Sequence, residues 1–184
     1  LNIILINDLR EETKDMKKVS IIIPFKGQTE AELMLPLSSI YNQIGVDLSQ
    51  LDIHLVNDGG KTIDLSKFDV LADRLEIHYH EIPNGGPGVA RQYGIDNSIS
   101  EYIMFIDADD VLYYVGALWP FYNASNQGHQ MIRASYWEQI AGNPYTYTVH
   151  GNGDRKAAYG KWYKRSYIEM LGLRFMPDLP IYED

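Results

Sequence analysis

The sequence has no cysteine, which excludes disulfides, thiolate nucleophiles and cysteine-based zinc sites. It also lacks long apolar runs. The longest, residues 1–6 and 19–25, fall far short of the roughly 20 residues a spanning helix needs. No cationic segment leads into an apolar one as in a signal peptide, so a soluble, cytoplasmic protein is expected. Basic residues are few, with 16 Lys and Arg against 25 Asp and Glu and a net charge of −9. Such a surface repels nucleic acid and anionic lipid unless its cations are gathered on one face. The densest basic stretch, residues 161–165, is interleaved with Tyr159, Trp162 and Tyr163; it reads as a short strand turning its rings inward rather than as a platform for bases. The one Gly-Lys-Thr triplet, Gly60-Lys61-Thr62, has Leu55 where a Walker loop needs its first glycine, and no Gly-x-Ser-x-Gly elbow occurs, which removes the Walker loop and the serine hydrolase arrangement. The chain opens on Leu1 and stops at Asp184 without a helix end or polar tail, as expected of a piece of a longer protein.

What is present is an ordinary globular composition, 184 residues of which 45% are hydrophobic, enough for one core and one domain. Its most informative segment is Phe105-Ile106-Asp107-Ala108-Asp109-Asp110-Val111, in which an apolar strand over 102–106 delivers three carboxylates into a turn. Like charges at that spacing repel and resist burial, so a cation is the natural group to sit between them. Oxygen ligands alone select a hard ion such as Mg2+ or Mn2+, which commonly carries a substrate phosphate. A solvated acidic turn after a buried strand is the plainer alternative.

Residues 1–18 read as an apolar stretch followed by a charged, solvated arm, and regular structure is expected from Val19 onward. Strands are expected at 19–24, 52–56, 75–79 and 102–106, the first ended by Pro24, with helices at 30–43 and 89–97. Strands alternating with helical segments imply parallel pairing, with ligands beyond the carboxyl ends. Beyond Val115 the pattern changes to a helix reaching 126 and antiparallel pieces at 131–138 and 145–149 around Gly142-Asn143-Pro144.

Asp58 follows the second strand and precedes Gly59-Gly60. A carboxylate there suits an N–H donor on a base or a ribose hydroxyl, or it simply forms the turn. The segment Asn84-Gly85-Gly86-Pro87-Gly88-Val89-Ala90-Arg91 sets flexible backbone before a helix. Its amides and Arg91 suit a phosphate; alternatively it is a capped turn whose Arg91 makes a salt bridge. It departs from the dinucleotide fingerprint because Arg91 replaces the third small residue and the loop follows the third strand. The five histidines show no metal-ligand spacing on one helix, and His78 and His80, on one face of the third strand, read as structural or surface residues.

In order, these residues resemble the family 2 glycosyltransferases. The resemblance rests on Val19-Ser20-Ile21-Ile22-Ile23-Pro24, Val56-Asn57-Asp58-Gly59-Gly60, the Asn-Gly-Gly…Ala-Arg-x-x-Gly-Ile pattern from Asn84 to Ile95, Asp107-Ala108-Asp109 as a DxD motif, Gly160-Lys161-Trp162-Tyr163-Lys164-Arg165 and the final Glu183-Asp184. Asn57 stands where an acidic residue is frequent, and Gln92 where Asn is common. Members usually continue past the Glu-Asp element, which again implies a fragment lacking its C-terminal region.

The resemblance implies a GT-A fold, an α/β architecture with a Rossmann-like, mostly parallel sheet, flanking helices and a small antiparallel element, occupying 19–184 after an arm at 1–18. It implies metal-dependent, inverting transfer of a sugar from a nucleotide diphosphate donor, most often a UDP-sugar, to an acceptor hydroxyl in surface polysaccharide or glycolipid synthesis. On that basis Pro24, Asp58, Asn84, Gly86, Arg91, Asp107 and Ala108 would line the donor site, with Asp58 on the base. Asp109 and Asp107 would hold Mn2+ or Mg2+, and Asp184, with Glu183 as the weaker candidate, would be the general base. The full-length protein would be cytoplasmic, peripheral to the inner face of the membrane. Acceptor specificity would lie in the irregular second half near Trp137, Tyr145, Tyr147 and Trp162, whose rings could stack on a sugar, although such rings are more often core. Competing readings are a donor-binding module without activity and a nucleotidyltransferase. The second expects a basic glycine-rich loop after the first strand, where this chain has only Lys26-Gly27.

Overall fold

The computed structural model describes residues 16–143, 145–151 and 158–176. Strand β1 (Lys17–Phe25) is followed by helix α1 (Glu30–Tyr41), β2 (Leu51–Asp58), β3 (Ile77–Ile82), helix α2 (Pro87–Asp96) and β4 (Ser100–Phe105). Then come α3 (Trp119–Ser125), β5 (Met131–Arg133), β6 (Tyr136–Gln139), β7 (Tyr147–His150), β8 (Lys161–Lys164) and α4 (Arg165–Leu171). The main sheet has the order β3-β2-β1-β4-β8-β5. Its first four strands are parallel, β8 runs antiparallel to both β4 and β5, and β6 and β7 form a separate ribbon.

The parallel strands read as unbroken apolar runs because both faces are covered. Val19, Ile21 and Ile23 of β1 and Leu51, Ile53 and Leu55 of β2 lie on the face covered by Leu33, Leu37 and Ile40 of α1. Ile22, Val56, Ile103 and Phe105 point the other way, onto Ala90 and Ile95 of α2. Each fully buried isoleucine contributes about 2 kcal/mol relative to an exposed one. Thr29 caps α1 in a reciprocal capping box with Glu32. Pro36 is accommodated inside α1 with its ring buried.

Several boundaries differ from expectation. Lys17 and Lys18 belong to β1 rather than to a solvated arm, because their ammonium groups find Glu76 and Glu101, each at 2.8 Å. Pro24 does not end β1, which runs on to Phe25. Ile22 O accepts the Ile106 N–H, so by strand alternation the missing Pro24 donor points past the end of β4 and removes no ladder bond. The third strand is shifted to Ile77–Ile82, and its polar His78, Tyr79, His80 and Glu81 are tolerated because β3 is an edge strand. α3 starts only at Trp119, because 114–119 are held in turns by Ala117 N–H to Tyr114 O and Trp119 N–H to Gly116 O. The expected piece 131–138 is divided between two sheets, β5 pairing with β8 and β6 with β7. Among the described residues no helix is long and apolar enough to cross a membrane.

Candidate functional site

The carboxyl ends of the parallel strands carry four loops, and the first three are in backbone contact. A Cβ on Gly59 would lie 2.7 Å from Asn84 N, and one on Gly60 would lie 2.7 Å from Gly27 N; only glycine lets the loops after β1, β2 and β3 approach this closely. Asn57 fastens its own turn, its Oδ1 accepting the Gly60 N–H at 2.7 Å and its Nδ2 donating to Lys61 O at 3.1 Å. Asn preceding glycines is a recognisable Asx-turn signal.

Asp58 ends β2 and is buried. Its Oδ1 accepts the Gly85 N–H at 2.7 Å and its Oδ2 the Gly86 N–H at 2.9 Å. The two amides expected to be open to a phosphate therefore already hold Asp58. Asn84 accepts through Oδ1 from Lys26 Nζ at 3.0 Å, and Gly86 is the N-cap of α2, with Pro87 as the first helical residue.

The fourth loop is the acidic turn. Ile106 extends the pairing of β4 by donating to Ile22 O, and Asp110 N–H donates to Asp107 O at 3.0 Å, closing the turn. Ala108 is buried, while Asp109 and Asp110 each keep a face to solvent. Arg91, buried on α2, donates through Nη2 to Asp107 Oδ1 at 2.8 Å, and its guanidinium lies 5.9 Å from the Phe175 ring centre. By register Pro24 sits between Val56 and the position two beyond Phe105, which is Asp107. The protein mass around the Asp110 carboxyl, then the charges of Asp107 and Asp109, push it up to about 6. Burial also raises the Tyr159 phenol, with smaller contributions from nearby carboxylates that include Asp110 and Asp107; nothing in the sequence marks Tyr159. The turn thus carries three carboxylates, a donor type suited to a hard divalent cation, although the described residues whose ligand atoms converge within reach of one ion are Asp52, His54 and His78.

The structure therefore gathers Asp107, Ala108, Asp109 and Arg91 in one group and Asp58, Asn84 and Gly86 in another, both at the same sheet edge. Glu183 and Asp184 lie outside the described residues. Of the aromatics expected near an acceptor, Trp162 is fully buried, with its indole N–H directed at Met104 Sδ, so it belongs to the core. Trp137 is half-exposed and packs on Tyr113 at 4.3 Å between ring centres, while Tyr145 and Tyr147 are exposed. The basic and aromatic stretch around Trp162 is strand β8, followed by Arg165, which donates to Ser100 O, Ile95 O and Ser98 Oγ.

Comparison with known proteins agrees with this architecture. The chain is 29% identical over 146 residues to the succinoglycan biosynthesis protein ExoW of Rhizobium meliloti, covering 76% of this chain and 43% of that protein. Its fold matches that of Staphylococcus aureus TarS 1-349, solved in complex with UDP, with a TM-score of 0.72 and 17% identity over 90% of this chain and 52% of TarS 1-349. It also matches the mannosyltransferase PcManGT of Pyrobaculum calidifontis, solved with GDP-Man and Mn2+, with a TM-score of 0.63 and 16% identity over 89% of this chain and 48% of that one. The chain thus spans about half the length of these proteins, and the fold is of the GT-A type. The model of the family described as Glycosyl transferase family 2 matches residues 20–168, and the chain belongs to that family.

Proposed function

We propose that the chain is part of a metal-dependent, inverting glycosyltransferase that moves a sugar from a UDP-sugar to an acceptor hydroxyl in surface polysaccharide or glycolipid synthesis. The observation that carries this reading is the acidic turn at the carboxyl end of β4, with Asp107 held by buried Arg91. The UDP complex of TarS, the Mn2+ complex of PcManGT and the succinoglycan role of ExoW support it.

In this reading Asp109 and Asp107 hold Mn2+ or Mg2+, and Arg91 keeps Asp107 aimed at the ion. The cation, when bound, neutralises the charge that develops on the departing diphosphate. Asp58 receives the N–H of the base; a carboxylate offers about four acceptor positions, so its two backbone bonds leave room. Pro24, Asn84, Gly86 and Ala108 shape the donor pocket. Asp184, with Glu183 beside it, takes the proton of the acceptor hydroxyl as that oxygen attacks the anomeric carbon opposite the leaving diphosphate, which inverts the configuration. The cysteine-free composition fits a cytoplasmic enzyme at the inner face of the membrane, where a glycolipid acceptor would meet it.

Calorimetric titration of UDP with Mn2+, with EDTA and with Asp109→Ala tests the donor site. Binding that requires both the metal and Asp109 is expected; UDP binding indifferent to both would overturn the assignment.

A further inference from the structure

A second group of ligand-type side chains lies at the opposite end of β2, on the face that also carries α2. Asp52 precedes Asp58 by six residues, roughly 20 Å along a strand. Alternation places Asp52 and His54 on one face of β2, and the parallel register sets His78 directly opposite His54. The rings of His54 and His78 stack with centres 4.8 Å apart, and the His80 ring lies parallel to that of His54 with centres 5.2 Å apart. His54 Nε2 is 2.9 Å from Asp52 Oδ2, His54 Nδ1 is 3.0 Å from His80 Nε2, and His78 Nε2 is 3.1 Å from Glu76 Oε1.

Asp52 is 5% exposed and His54 2%, and the second carboxylate oxygen of Asp52 is buried without a hydrogen-bond partner. A buried acceptor left unsatisfied costs about 1–3 kcal/mol and calls for an explanation. One ligand atom each from Asp52, His54 and His78 lie within 4.8 Å of one another. We propose that Asp52, His54 and His78 form a binding site for a borderline divalent cation of the Zn2+ class, separate from the oxygen-only turn at Asp107–Asp110.

Two imidazoles and a carboxylate form a nitrogen-rich set that prefers zinc over magnesium or manganese. The metal takes the place of the proton between His54 Nε2 and Asp52, while His54 Nδ1–H donates to His80 Nε2 and fixes the ring, as a ligand histidine needs. His78 is part-exposed on the edge strand, so it gives an ion access from solvent. A bound ion would clip β3 to β2 at the end of the sheet remote from the donor loops.

The test is calorimetric titration of Zn2+ into EDTA-stripped protein in excess Mg2+, with Asp109→Ala, Asp52→Asn and His78→Gln, together with the Co2+ absorption spectrum. The expected result is one Zn2+ per chain, unaffected by Mg2+ or Asp109→Ala, with affinity falling at least about tenfold in the other two variants. His78→Gln changes a part-exposed residue, and circular dichroism with unchanged UDP binding would confirm that its fold is intact. No zinc bound by the folded protein, full affinity in His78→Gln, or loss of zinc in Asp109→Ala would each overturn the proposal.

Discussion

Arg91 Nη2 lies 2.8 Å from Asp107 Oδ1 across the gap between α2 and the end of β4. The pair joins the helix after the third strand to the acidic turn after the fourth. A guanidinium can hold a carboxylate oxygen in one direction while the other faces solvent. Arg91→Ala is expected to cost about 2 kcal/mol, below the range for breaking a fully buried pair because Asp107 is partly exposed. Arg91→Lys should keep most of that stability yet weaken Mn2+-dependent UDP binding by about tenfold. Urea unfolding and calorimetry check the two effects separately.

Asp58 is tied to Gly85 and Gly86 by two hydrogen bonds to a charged acceptor. Asp58→Asn keeps the shape but replaces one acceptor oxygen with a donor facing an amide. A loss of about 2 kcal/mol is expected. Hydrogen exchange should show the Gly85 and Gly86 amides losing protection while the β1 amides change little.

The Asp110 carboxyl, raised to about 6 from 3.8, sets a pH dependence. The folded state holds this proton more tightly than the unfolded chain, so the group costs stability as pH rises from about 4 through 6. Asp110→Asn is therefore expected to stabilise the metal-free protein by about 1 kcal/mol at pH 7, after allowing for solvent screening, and to make little difference at about pH 4. Mn2+ affinity of the unaltered protein should rise across the same window as the proton leaves. Thermal denaturation and metal titration from about pH 4 to about pH 7 check this prediction.

Gly94 permits the close approach of α2 to β1, where a Cβ would lie 2.5 Å from Ile22 Cγ2. Alanine normally favours a helix by about 1 kcal/mol over glycine. Here overpacking against a stiff, buried side chain outweighs that gain, and Gly94→Ala should destabilise by about 1–3 kcal/mol. A lower denaturation midpoint with an unchanged m-value would bear this out.

The parallel half of the fold is legible in the sequence because Ile21, Ile22 and Ile23 announce a strand covered on both faces, and the acidic turn because three carboxylates at one strand end are costly without a reason. β3 is displaced from its expected position because an edge strand with His78 and His80 carries no apolar signature. The second half reads as longer antiparallel pieces because nothing between Arg133 and Tyr136 marks the passage from one sheet to another. Asp58 holds two backbone amides, which have no sequence signature, and its partners lie 27 and 28 positions away. Asp52, His54 and His78 meet only through strand register, which spacing along the chain does not reveal.

The glycine contacts among the loops after β1, β2 and β3 also bear on affinity. Side-chain bulk at Gly59 or Gly60 would force these loops apart, and their backbones would then carry conformational freedom of about 1–2 kcal/mol per residue to be lost on binding. In contact, that freedom is surrendered when the chain folds. A ligand arriving at this rim meets a surface already ordered, and more of its contact energy remains as affinity.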